Sequence, residues 1–246
     1  MQQITSLLPL NTGDKIAIVG SGGKTTLLWQ LAKHANAPCV MATTTTHMQR
    51  QAPIPCRLFL QSANQLRAAL PLQPGVYFCG TIEPVSGKLS SLPNDELAYF
   101  VQQMDAAVME SDGSRTLPLK GWAPHEPVIP SFTTHTVGVI PLWALGKPAT
   151  EDYIHRFAIF KELTGIQPNQ PIGLQHIAAV IFAPNGLFAK AVGKRVLFIN
   201  QIEDEAAFAL ARQLVSLLPA PFMQTMECII AGSARQNWGE ILWKRP

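Results

Sequence analysis

The sequence predicts an α/β fold with a mainly parallel sheet and helices on both faces. Three observations lead there. Short apolar runs alternate with segments of helical spacing along the 246 residues. One run, Ile16 to Val19, breaks into glycines just ahead of a helical segment, and another, Ala106 to Met109, ends on carboxylates. Strands buried on both faces read as continuous apolar stretches, and parallel neighbours need crossovers that are usually helical.

Taken in order, apolar stretches of strand length predict strands at 15–19, 38–43, 56–60, 75–79, 105–110, 136–141, 177–183, 195–200 and 226–231. Helical spacing predicts helices at 25–36, 63–70, 94–104, 151–164 and 204–218, the last two opening with acidic residues that suit a helix N-terminus. Pro118, Pro124, Pro127, Pro130, Pro141 and Pro148 favour long ordered loops over regular structure. No repeat or linker divides the chain. One α/β domain over 1–246 is therefore expected, with a proline-rich loop region at about 114–150.

Composition narrows the function. Charged residues make up 14% of the chain, against roughly 25% in average domains. A net charge of +3 without a basic stripe argues against nucleic acid as the partner. No apolar run reaches the roughly 20 residues of a membrane span, and the first residues lack a basic-then-apolar leader. Cys39, Cys56, Cys79 and Cys228 are far apart and form no Cys-x-x-Cys pair. A cytoplasmic protein that does not engage a membrane is expected.

The densest chemistry lies in Gly20, Ser21, Gly22, Gly23, Lys24, Thr25 and Thr26, between a strand and a helix. Small residues let backbone amides converge on a polyphosphate at the positive end of the helix. Lys24 would reach the β- and γ-phosphates, and the Thr25 hydroxyl would ligate Mg²⁺. ATP or GTP with Mg²⁺ is the expected ligand, in a P-loop NTPase-like sheet. The loop is short, with Ile18 where the usual spacing has its first glycine. It resembles the Gly-x-x-Gly-Lys-Thr-Thr loop of Mur ligases and, in part, the loops of ParA-type ATPases.

Ligands collect at the carboxyl ends of strands in such sheets, which sorts the other polar clusters. Glu110 and Asp112 end an apolar strand, where carboxylates can hold Mg²⁺ and organise the attacking group, so Lys24, Glu110 and Asp112 are the candidate catalytic residues. An exposed acidic turn is the plainer alternative. The Glu-x-x-Gly spacing from Glu110 to Gly113 resembles the switch region of metal-centre and cofactor-assembly NTPases. Thr44 and Thr45 either serve the metal and γ-phosphate or extend a strand. Arg115, Lys120, His125 and Glu126 lie in proline-stiffened loops suited to holding substrate, or are surface charge. His155 and Arg156 either join them or form a solvated helix face. Asn200 and Glu203 end a strand in Asn-Gln-x-Glu, which resembles the Asn-Lys-x-Asp with which many P-loop GTPases read guanine. An ordinary strand-to-helix loop capped by Asn200 would be written similarly. Because Gln201 replaces the lysine and Glu203 the aspartate, ATP and GTP affinities are expected within about tenfold of one another.

Together the Gly-Ser-Gly-Gly-Lys-Thr-Thr loop, Thr43-Thr44-Thr45-Thr46-His47-Met48, Glu110-x-Asp112-Gly113-Ser114-Arg115 followed by Pro118-Leu119-Lys120, His125 to Pro130, His155-Arg156 and the late Asn-Gln-x-Glu resemble the YqeC family. The resemblance runs from about residue 14 to 231. It implies an accessory protein of selenium-dependent molybdenum hydroxylases, acting in synthesis or insertion of a labile selenium cofactor. Its partners would be the hydroxylase or the proteins that assemble its cofactor. Two other readings stay open: an ATP-dependent ligase or small-molecule kinase, suggested by the Mur-like loop, and a module that the nucleotide only stabilises.

Overall fold

The computed structural model describes residues 2–50 and 54–246. In chain order its elements begin with α1 (Ile4–Leu7), β1 (Lys15–Gly20), α2 (Lys24–Lys33), β2 (Cys39–Thr44), β3 (His47–Met48), β4 (Leu58–Leu60), α3 (Ala63–Ala69) and β5 (Gly75–Cys79). They continue with β6 (Thr81–Ile82), β7 (Leu89–Ser90), α4 (Asn94–Gln102), β8 (Ala106–Glu110), β9 (Leu119–Lys120), β10 (His135–Pro141) and β11 (Ile154–His155). The last are α5 (Phe157–Thr164), α6 (Leu174–Phe182), β12 (Lys194–Asn200), α7 (Glu205–Ser216), α8 (Ala220–Met223), β13 (Met226–Ser233) and β14 (Trp238–Lys244).

Nine strands form the central sheet in the order β14-β13-β12-β10-β1-β8-β2-β5-β4. Every neighbouring pair is parallel except β13 with β14. After β1 the chain lays down β2, β4 and β5 on one side and returns to insert β8 between β1 and β2, then builds outward through β10, β12 and β13 on the other. The carboxyl end of β1 therefore opens at the point where strand order reverses, the usual ligand crevice of such sheets.

Alternation along the strands separates two faces. Val196 and Phe198 belong to the same buried cluster as Leu27, Leu28 and Leu31 of α2, whereas Leu197 and Ile199 share one with Ile177 and Val180 of α6 and Phe208 and Leu214 of α7. Met41, Tyr77 and Ala107 meet Leu66 of α3 and Phe100 of α4. Burying each large aliphatic side chain contributes about 1.5–3 kcal/mol.

Two expectations need correction, and one strand is added. The apolar run 177–183, expected as a strand, is helical: α6 packs between α5 and α7, so nearly all its sides are covered and periodicity is lost. The His176 ring nitrogen Nδ1 accepts the Gly173 N–H at 2.9 Å and fixes the helix start. The helix expected from 151 begins only at Phe157, because Ile154–His155 pairs with Leu119–Lys120 and Arg156 takes a left-handed conformation. Residues 238–244 add β14, an antiparallel edge strand that the sequence reading leaves unassigned. Among the described residues no helix is long and apolar enough to cross a membrane.

Candidate functional site

β1 delivers the chain into a left-handed bend at Gly20, with φ +102°, and the same region of backbone space recurs at Gly22 and Gly23. Side chains are barred here by contact as well as by φ. A Cβ on Gly20 would lie 2.1 Å from the Val139 carbonyl oxygen, and one on Gly23 would lie 2.1 Å from Asn200 Nδ2. The loop is thus pressed against β10 and β12. Among the described residues, the amides of Gly22, Gly23, Lys24 and Thr25 have no main-chain or side-chain acceptor. No side chain caps α2, so these donors stay available for an anion.

Lys24 is buried, and its Nζ donates to the Gly20 carbonyl at 2.8 Å while lying 3.8 Å from Glu110 and 3.5 Å from Asp112. The Thr25 hydroxyl donates to Glu110 Oε2 at 2.7 Å. Glu110 closes β8 next to β1 because strand pairing places it beside Ile18. Burial pushes its carboxyl above the ordinary range, against the pull of Lys24 and the Thr25 hydrogen bond.

Asp112 is fully buried and does not line the cavity. Its oxygens accept the Gly20 N–H at 3.0 and 3.1 Å, Lys120 Nζ at 3.1 Å and Trp122 Nε1 at 2.8 Å. Lys120 also donates to Glu126 at 2.9 Å, and Arg156 pairs with Glu126 through both of its terminal nitrogens. Lys24, Lys120 and Arg156 therefore form a continuous ionic chain with Glu110, Asp112 and Glu126. Burial opposes ionisation of Glu126, but Arg156 and Lys120 outweigh it and hold the carboxyl down at about 2. Burial and the cations Arg156, Lys120 and Arg115 keep His155 neutral, with its pKa lowered to about 4.

Two cavities meet at the loop. The first, about 360 Å³, is lined by Gly22, Gly23, Lys24, Thr25 and Glu110, and also by His47, Lys88 and Arg115. The second, about 670 Å³, lies at the ends of β12 and β13 and includes Gly23, Thr26, Asn200, Gln201, Glu203 and Arg235. Gly23, Trp143 and Gln201 belong to both.

Most of the remaining candidates fall away from these walls, and Asn200, which lines the second, is committed to structural hydrogen bonds. Ser21 is buried and donates to the Pro118 carbonyl at 2.6 Å. Thr44 and Thr45 staple loops, their hydroxyls donating to the carbonyls of Glu110 at 2.9 Å and Val128 at 2.6 Å. His125 is exposed, and Lys120, Glu126, His155 and Arg156 sit behind Asp112 rather than in the first cavity. Asn200 spends its amide on the Gly22 carbonyl at 2.7 Å and the Ala234 N–H at 2.9 Å, so it rivets loop to sheet. Sequence reasoning passes over Trp122, Lys88, Trp143 and Arg235, and includes His47 in a motif without giving it a role. Only Trp122 carried a usable signal, its place two residues after Lys120.

Comparison with known proteins follows the same residues. Positions 16–158 match the family model described as YqeC protein. A protein of Escherichia coli (strain K12) described as uncharacterized protein YqeC is 31% identical over 209 residues, 82% of each chain. No solved structure matches. A family match over more than half of the sequence, carrying the glycine loop and the buried ionic chain, shows that this chain belongs to the YqeC family.

Proposed function

We infer that the chain binds a nucleoside triphosphate with Mg²⁺ and hydrolyses it, as a cytoplasmic accessory factor in maturing selenium-dependent molybdenum hydroxylases. One observation carries the nucleotide reading: the open amides of Gly22 to Thr25 share a cavity with Lys24 and with the Thr25–Glu110 pair. A P-loop NTPase-like use of the fold follows from it. The hydroxylase, or a protein of its cofactor assembly, enters from the family resemblance alone.

The residues fit Mg²⁺. A threonine hydroxyl beside a carboxylate offers hard oxygen donors, and Mg²⁺ retains waters and phosphate oxygens for its remaining positions. No group of three or more His, Cys, Asp or Glu among the described residues forms a cage for a softer metal. When bound, Mg²⁺ supplies charge neutralisation to the β- and γ-oxygens. The chain's own part is positional. Lys24 exchanges the Gly20 carbonyl for a phosphate oxygen, the loop amides hold the phosphates, and ionised Glu110 with Thr25 holds the ion. Asp112 keeps Gly20 in place from beneath.

A second reading, phosphoryl transfer to an anionic small molecule, draws on Lys88 and Arg115, cations that line the first cavity together with Lys24. The test is calorimetry with ATP and GTP in Mg²⁺, followed by multiple-turnover phosphate release with and without candidate acceptors. Lys24→Ala should weaken triphosphate binding about 10–150-fold, the worth of one charge-assisted hydrogen bond. Unchanged affinity for both nucleotides would remove the reading. Binding without turnover would leave only a nucleotide-stabilised module.

A further inference from the structure

The second cavity extends from Gly23 to the ends of β12 and β13, the second and third strands from β1 on that side. At a strand spacing of 4.7–4.9 Å these ends lie about 10 and 14 Å along the sheet from β1, beyond the reach of the phosphates. Asn200 fixes that span, since one amide holds both Gly22 and Ala234. Leu145, Leu210 and Trp143 supply apolar faces for a flat ring.

The charged groups that line it, Glu203, Asp204 and Arg235, are of both signs. Asp204 is committed to capping α7, accepting the Ala207 N–H at 2.7 Å. Glu203 and Arg235 have neither an ion pair nor a side-chain hydrogen bond among the described residues. Gln201 holds a left-handed backbone at φ +63° and keeps a buried side-chain oxygen with no partner. Asn237, in the turn before β14, shares this combination, but of the two only Gln201 lines this cavity, where its free acceptor is open to a ligand.

We propose that this cavity is the base subsite of the nucleotide and selects guanine over adenine, with Glu203 and Arg235 reading the base edge. The proposal rests on the triphosphate reading above and deepens it. An ionised carboxylate only accepts and a guanidinium only donates. Guanine presents adjacent N1–H and N2–H donors, which a carboxylate takes as a pair, followed by the O6 acceptor for a guanidinium. Adenine sets an acceptor, N1, against the carboxylate and leaves one of the oxygens unpaired. Viewed from the sequence, Gln201 lacks the charge of the usual lysine and the two bases are balanced. Arg235 alters that balance by bringing a cation from the turn that follows β13.

The experiment is calorimetric titration in Mg²⁺ with GTP, ATP and ITP, whose base lacks the 2-amino group, on wild type, Glu203→Ala, Arg235→Ala and Lys24→Ala. Circular dichroism checks that each is folded. GTP should bind more than about tenfold tighter than ATP, with ITP between them, since one charge-assisted hydrogen bond is worth roughly 10–150-fold. Glu203→Ala and, independently, Arg235→Ala should lower GTP affinity about tenfold or more and leave ATP within about threefold. Equal wild-type affinity for GTP and ATP, both lost in Lys24→Ala, would overturn base selection while leaving the phosphate site standing. Equal losses for both nucleotides in Glu203→Ala would assign that carboxylate to the ribose and overturn the proposal too. Failure of every triphosphate to bind would remove the phosphate site and the base subsite together.

Discussion

Asp112 accepts the main-chain N–H of Gly20 with both carboxylate oxygens, at 3.1 and 3.0 Å, and so ties the end of the β8 strand segment to the first residue of the glycine loop. The same carboxylate faces Lys24 at 3.5 Å and Lys120 at 3.1 Å, and no part of it reaches solvent. It acts on the loop from below. Glu110, two residues earlier, faces the cavity.

Asp112→Ala should therefore destabilise the fold by about 3–5 kcal/mol, because Lys120 would remain buried with one carboxylate fewer. Urea unfolding measures it. A loss under about 1 kcal/mol would show that the ionic chain rearranges freely around the gap.

Gly23→Ala tests the contact between loop and sheet. The added methyl would meet Asn200 Nδ2 at 2.1 Å on a backbone with φ +115°, breaking the bond from Asn200 to Gly22. Left-handed strain of about 1–2 kcal/mol and one lost hydrogen bond of about 1 kcal/mol give an expected loss of about 2–3 kcal/mol. Nucleotide affinity should fall with it. Wild-type melting and wild-type affinity together would mean that the loop is not held by Asn200.

Glu126 sets a pH window. Its carboxyl is held at about 2 in the folded chain, below the ordinary value of 4.5, so its stabilisation is present above pH 4.5 and lost as pH falls from there towards 2. Partial exposure screens the effect, leaving on the order of 1–2 kcal/mol. Urea midpoints of wild type and Glu126→Gln, measured from pH 7 to pH 3, should converge as acid is added. Parallel profiles would show that Glu126 has no depressed pKa.

The glycine loop was legible because a strand, three glycines, Lys24 and a helical pattern are contiguous in sequence. Glu110 and Asp112 looked equivalent because both follow one apolar run. The distinction is three-dimensional: the strand ends at Glu110, and the turn after it sends Asp112 beneath Gly20. Arg235 is invisible in the sequence for a similar reason, since the pairing of β12 with β13 is what brings it to the same cavity as Glu203. Helix α6 was misread because an apolar run covered on nearly all sides has no period to read, and its start depends on a His176–Gly173 bond rather than a conventional cap.

Glu110→Gln separates function from stability by moving them in opposite directions. Burial raises the folded pKa of Glu110 above the ordinary 4.5 despite Lys24 and Thr25. The sign follows: the folded chain binds that proton more tightly than the unfolded chain, so stability declines as pH rises from 4.5 through the raised value, and the ionised carboxylate is a net cost at neutral pH. Glutamine keeps an oxygen for the Thr25 hydroxyl and removes the buried charge. The variant should melt no lower than wild type at pH 7, yet lose Mg²⁺-dependent turnover by about 100-fold or more, with nucleotide affinity changed less than about threefold. In the wild type, turnover should fall as acid protonates Glu110, because Glu110 must be ionised to hold the cation. Phosphate-release rates from pH 5 to pH 8, alongside melting curves, check both halves. Wild-type turnover in a stabilised Glu110→Gln would make Glu110 a structural acid and leave the cation to other ligands, whereas lost turnover with a lowered melting point would mean that Lys24 needs its charge to hold the loop.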